Sequence, residues 1–239
     1  MKKLMLLLLM IPFAGNAQLK NVLQKAKEQS GLLTKSDGLD IGAGLKEALH
    51  KGVTEQVTKL TATDGFYRNE AVKILMPDEL QKVDKTLRQM GMAKLADEGI
   101  LALNRAAEDA VGEATPVFVE AIKSMSITDA KSILTGSDNA ATSYLQTKTT
   151  ASLYTKFQPV VQKSIGKVGA DVIWNSIISK YNNLPLVSKV NPDITDYVTN
   201  KALDGVFTMI AVEEKEIRTN LNARSSDLLR KVFALQDKK

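Results

Sequence analysis

Apolar residues in this chain recur at intervals of three and four and rarely of two, the spacing of amphipathic helices. Leu19, Val22, Leu23 and Ala26 predict a short first helix, with Lys20, Lys25 and Lys27 on its other faces and a linker from Ser30-Gly31 to Gly38. Asp40 is a good N-cap for a second helix, striped by Leu45, Leu49, Val53, Val57 and Leu60 and stopped by Thr63-Asp64-Gly65. Val72, Ile74 and Met76 alternate with Lys73 and Leu75, which leaves room for one short extended segment near residues 70–76. Pro77 opens a helix over Asp78–Met90 that Gly91 closes.

A longer, alanine-rich helix follows, with Met92, Leu95, Ala96, Ile100, Leu103, Ala107, Ala110 and Val111 on one face. Thr115-Pro116 reads as a cap and first-turn proline, before Phe118, Ala121, Ile122 and Met125. Ser126-Ile127-Thr128-Asp129 resembles a capping box with Asp in place of Glu. Asp138 is a further candidate cap, for a segment that Pro159 is expected to kink or split. Ile173, Trp174, Ile177, Ile178 and Tyr181 make another stripe, and a loop spans Asn182–Pro192. Asp193 caps a long helix through Asn220, and Ser225 or Ser226 caps a last one through Leu235. The expectation is an all-α bundle of about eight to ten helices.

The first seventeen residues break this pattern. Lys2 and Lys3 precede an apolar run, Leu4–Ile11, and Ala14-Gly15-Asn16-Ala17 supplies small residues before Gln18. That is the layout of a cleavable secretory signal, and the run is about half the ~20 residues of a membrane span. The expected organisation is therefore a signal peptide at 1–17, a short helix and linker at 18–38, and one helical domain at 39–239. Export to the periplasm or beyond follows, as a soluble protein with no transmembrane segment after cleavage. Lacking cysteine, the chain can carry neither a lipid anchor on that residue nor a disulfide. Without Lys2 and Lys3 the formal charge falls from +5 to +3, too mild to call for nucleic acid. Aromatic residues are not interleaved with basic ones, which also counts against single-strand binding.

Several strings are similar to a bacterial family known as domain of unknown function 4197. They are Gly44-Leu45-Lys46-Glu47-Ala48-Leu49, Asp64-Gly65-Phe66, Leu103-Asn104-Arg105-Ala106-Ala107-Glu108 and Phe118-Val119-Glu120-Ala121-Ile122. Gly136-Ser137-Asp138-Asn139-Ala140-Ala141-Thr142, Tyr197-Val198-Thr199 with Ala202-Leu203-Asp204-Gly205, and Ala223-Arg224 through Asp227-Leu228-Leu229 complete the set. In order and spacing they cover nearly all of residues 40–235. The resemblance implies an exported helical bacterial protein and no assigned activity. Gly99 and Asn139 depart from the pattern; Asn139 stands where a second Asp is more usual, which would weaken any cation site there.

Candidate chemistry is sparse. The only histidine, His50, sits on a helix flank without a patterned nucleophile. One His and no Cys make zinc and copper sites poor expectations, and no glycine loop for phosphate or serine elbow is present. No metal, cofactor or catalytic residue is expected. Two clusters are candidate binding positions. Asn104, Arg105, Glu108 and Asp109 form the first, Arg105 reaching Glu108 and Asp109 at three and four residues on one side of the alanine-rich helix. Asp138, Asn139 and Thr142 offer oxygens for a hard cation or, more simply, a helix cap. Glu213 falls on the stripe of the long helix, between Met209 and Ile217, and if buried must be paired or protonated. Arg105 is its candidate partner, while Glu214 and Glu216 are expected in solvent, Glu214 within reach of Arg218.

The function expected from this inventory is a noncatalytic ligand-binding or interaction protein of the cell envelope, its partner an apolar small molecule or another envelope protein. The alternative is a hydrolase-like enzyme with paired carboxylates as acid and base. Attachment to a membrane surface through residues 19–29 is a third role.

Overall fold

The computed structural model describes residues 42–77, 81–89, 91, 93–167, 193–224 and 226–234. Between 168 and 192 it describes 169, 171–172, 174–175, 179, 182–183, 185–186 and 189. The chain divides into two compact units, Met1–Asp40 and Ile41–Lys239, and the described residues belong to the second. The signal peptide, the helix at 19–29, the linker, and most of the 173–181 stripe and the 182–192 loop lie outside the described residues.

The described residues are all-α, with no strand. A helical run over 42–61 (α1) is followed by α2 (Gln81–Gln89), α3 (Ala93–Val111), α4 (Ala114–Ser124), α5 (Ile127–Thr135), α6 (Ala140–Gly166), α7 (Ile194–Thr219) and α8 (Asp227–Phe233). A 3-10 turn, Leu221–Ala223, joins α7 to α8. Among the described residues seven helices follow α1, and the stripe at 173–181 that the expected count included lies largely outside them.

The centre of the bundle is α3, α6 and α7, packed on one another. Ala106, Ala107 and Ala110 of α3 are fully buried and bring no bulk, so the neighbouring helices can approach it closely. Leu145, Leu153, Phe157, Val161 and Ile165 of α6, and Val198, Ala202 and Val206 of α7, are equally buried. Phe118 of α4 meets Phe207 of α7 edge-on, ring centroids 6.0 Å apart.

Three local expectations are corrected. Pro159 does not split its segment: α6 runs unbroken through it for 27 residues. Pro159 and Thr155 are both exposed, so the Thr155 carbonyl that lacks a helical donor can be solvated. The first residue of α4 is Ala114, not Pro116, and its N-cap position is Glu113, without a side-chain bond, rather than Thr115. Residues 73–77 form no strand; what holds them in place is a side chain, described below.

Caps are better anticipated. Asp193 accepts from the Thr195 and Asp196 N–H groups. Ser126 and Asp129 make the reciprocal box before α5: Ser126 Oγ accepts from Asp129 N at 3.1 Å, and Asp129 accepts from Ser126 N at 2.9 Å. Ser126→Ala is expected to cost about 1 kcal/mol in urea unfolding. The Ser126 backbone N–H, then its hydroxyl, hold the Asp129 carboxyl below its ordinary range. A depressed carboxyl contributes stability above its unfolded pKa, and that contribution disappears as pH falls through the folded pKa. The Ser126→Ala difference should therefore shrink in strong acid; a difference that grows there would contradict the box.

Candidate functional site

Two polar clusters punctuate the bundle. The first gathers where the turn after α1 meets α3. Gly65 lies against the end of α1, where a Cβ would stand 2.5 Å from the Lys59 carbonyl oxygen, so only glycine lets the chain turn this tightly. Asp64 precedes it at φ 68°. The turn delivers Phe66, fully buried, onto the bare backbone of Gly205 in α7. A Cβ at Gly205 would sit 2.5 Å from the Phe66 ring. Gly205→Ala should thus lower the melting temperature by the equivalent of about 1–3 kcal/mol, an overpacking cost. An unchanged melting temperature would show that the ring moves aside freely.

The turn leaves its own N–H groups pointing inward, and α3 supplies the acceptor. Glu108, only 5% exposed, accepts from Phe66 N at 3.0 Å and Tyr67 N at 3.3 Å. Its other oxygen takes Arg105 Nη1 at 2.5 Å, and Arg105 Nη2 reaches Asp64 at 2.6 Å. Hydrogen bonding to Glu108, assisted by Asp64, raises the Arg105 pKa further above its ordinary value. One turn earlier, the fully buried Asn104 plays the part of an absent strand. Its amide oxygen accepts from Ile74 N and its nitrogen donates to Ile74 O, both at 2.8 Å, with a second donation to Ile100 O at 2.7 Å. Residues 73–77 are thereby anchored with Val72 and Ile74 inward and Leu75 outward, the alternation read in the sequence.

The second cluster lies at the start of α6. Asn139 occupies the N-cap position but makes no side-chain cap bond, and Asp138 and Asn139 are exposed. The cap comes instead from Glu214 of α7. Its carboxylate accepts from Ala141 N, Thr142 N and the Thr142 hydroxyl, at 2.8, 2.8 and 2.7 Å. Arg218, one turn on and 4% exposed, donates to Glu214 through Nε and Nη2 and to Ile133 O near the end of α5. The carboxylate thus meets the positive end of α6 and the guanidinium the negative end of α5, each matched to the helix dipole. Arg224, 2% exposed, holds the carbonyls of Ile217 and Arg218 as the chain leaves α7. The ring of Phe233 in α8 faces both guanidiniums, 5.6 and 5.4 Å from their central carbons.

The candidate residues therefore separate. Asn104, Arg105 and Glu108 converge as a group, joined by Asp64. Thr142 turns inward to Glu214 while Asp138 and Asn139 face water, so these three do not form one cation site. Glu213 is half-buried and accepts from Gln56 Nε2 at 2.7 Å, not from Arg105. Glu214, expected in solvent, is the buried carboxylate. His50 is exposed. Among the described residues no three His, Asp or Glu side chains gather as a metal site would require. No described helix is long and apolar enough to cross a membrane. An interior crevice of about 40 Å3 lies beside Glu213 and Glu214, little more than the volume of one water.

Fold and site together define a helical bundle with one part-exposed ion-pair cluster around Arg105 and one interior ion pair, Glu214–Arg218. The strings singled out in the sequence supply the first, where Asp64-Gly65-Phe66, Asn104 to Glu108 and Gly205 meet, and Ala141-Thr142 and Arg224 of the second, but not its Glu214–Arg218 pair. The chain belongs to the family described as a protein of unknown function (DUF4197), whose profile matches residues 35–234. No curated protein and no solved structure matches it.

Proposed function

We propose that this is a noncatalytic interaction protein of the bacterial envelope, exported by its first seventeen residues. The observation that carries the reading is how the two buried carboxylates are used. Glu108 takes two backbone N–H groups and Arg105; Glu214 takes two N–H groups, a hydroxyl and Arg218. Such bonds fill the acceptor sites of Glu214 and most of those of Glu108, and each carboxylate is committed to a guanidinium, which disfavours either as a base for a substrate proton. The crevice is far below the ~300 Å3 at which small-molecule pockets begin, so the outer surface is favoured over an internal ligand.

The hydrolase alternative keeps one supporting feature, since Asp64 and Glu108 approach each other at Arg105. A guanidinium bound to both neutralises them instead of leaving room for water, as an acid–base pair would need. The test has two arms. Wild type and Glu108→Gln are assayed on ester, amide, phosphodiester and glycosidic substrates, and the envelope of expressing cells is cross-linked. A discrete cross-linked complex without turnover supports the proposal, whereas turnover abolished by Glu108→Gln overturns it. Mass spectrometry of the exported protein should find Gln18 at its N-terminus.

A further inference from the structure

The buried apolar residues fall into two groups. The larger fills the space among α1, α3, α4, α6 and α7. The smaller joins Leu45 of α1, Met125, Ile133 and Leu134 at α5, and Leu229 and Phe233 of α8. The 40 Å3 crevice has walls from both groups, Val53 and Ile210 from the first, Leu45, Ile133 and Phe233 from the second. Side chains facing a void that small lose dispersion contacts they would make in a continuous core. Polar bonds span this junction: Glu214 and Arg218 reach from α7 to the start of α6 and to α5. The elements on the far side are short, nine residues in α5 and seven in α8. Isolated helices below ~12–15 residues are marginal in water, so neither keeps its form once its packing is lost.

We propose that α5, the first turn of α6 and α8 form a separate opening unit, which the Glu214–Arg218 pair clasps to a core that stays folded when the unit opens. Each part of the unit is tied to the clasp. Opening removes the carboxylate from the Ala141 and Thr142 N–H groups, the guanidinium from the Ile133 carbonyl, and the Phe233 ring from Arg218 and Arg224. These losses occur together, which makes the transition cooperative within the unit and not a fraying of one end. Because it concerns opening, the inference does not depend on the proposed function.

Native-state hydrogen exchange on the full chain tests it. The amides of Ile133, Leu134, Ala141, Thr142 and Val232 should exchange as a group, at least tenfold faster than those of Ala106–Val111 and Val161–Ile165. Glu214→Gln should speed the first group at least a further tenfold and leave the second unchanged. Phe233→Leu, a milder change that keeps the clasp, should speed the same group by a smaller factor. If wild-type amides of both groups exchange through one common opening, or if either folded variant speeds both groups equally, the separate unit does not exist.

Discussion

Arg218→Met should be the most damaging single change to a charged residue in the bundle, lowering the unfolding free energy by about 3–5 kcal/mol. The variant keeps most of the side-chain volume and removes the guanidinium. Glu214 then remains 8% exposed with its countercharge gone, and Ile133 O loses a donor. The cost lies in the carboxylate left behind: a pair in water contributes little, but a buried charge without its partner keeps its desolvation penalty. The double variant Arg218→Met, Glu214→Gln should therefore be less damaging than the sum of the two single changes. A glutamine oxygen can still accept from Ala141 N or Thr142 N without carrying a charge. Urea unfolding of the four proteins at neutral pH gives the cycle. A single-variant cost below about 1 kcal/mol would mean that Arg218 behaves as an exposed ion pair. A fall in the urea slope would carry separate information, since a unit already open in the native state exposes less new surface on unfolding.

The stripes that fold this chain are legible at single-residue resolution, and the one serious misreading shows what limits them. On α7, steps of four from Ile194 pass through Val198, Ala202, Val206 and Ile210, all buried; the next steps land on Glu214 and Arg218, buried too. The apolar pattern had stopped, so the sequence placed Glu214 in water and chose Glu213, which lies four from Met209. Burial follows the geometry of the helix ridge and continues whether the residue is apolar or charged. The same ridge on α6 runs Leu145, Thr149, Leu153, Phe157, Val161 and Ile165, with Thr149 buried in mid-stripe and its hydroxyl bonded to Leu145 O. Extending the four-residue step through polar positions was the signal available for Glu214, Arg218 and Thr149. No helical spacing pointed to Gln56, or to Arg224, which only the family strings included. Their partners lie on a turn geometry and on another helix, which spacing within one helix does not encode.

Asn104 was singled out for its position beside Arg105 and Glu108, yet its role depends on a segment thirty residues earlier. The alternation at 72–76 left room for a short extended segment, and residues 73–77 form no strand. A strand needs a neighbouring backbone to pair with, and here one side-chain amide supplies both the donor and the acceptor. Asn104→Leu is accordingly expected to cost about 2–4 kcal/mol, although it fills the same space with an apolar group. The loss arises at the groups left behind, because the Ile74 N–H and carbonyl remain buried without partners at about 1–3 kcal/mol each. Asn104→Asp separates the two halves of the contact. Its carboxylate can still accept from Ile74 N but cannot donate to Ile74 O or Ile100 O, and it adds a buried charge, so it should be at least as damaging as leucine at neutral pH. Lowering the pH should narrow the gap between the two variants, since a protonated carboxyl regains one donor and loses the charge. Thermal unfolding of both variants from neutral to mildly acidic pH is the measurement. Should Asn104→Leu unfold like wild type, residues 73–77 would be held by Val72 and Ile74 packing alone, and the amide would be a passenger in the core.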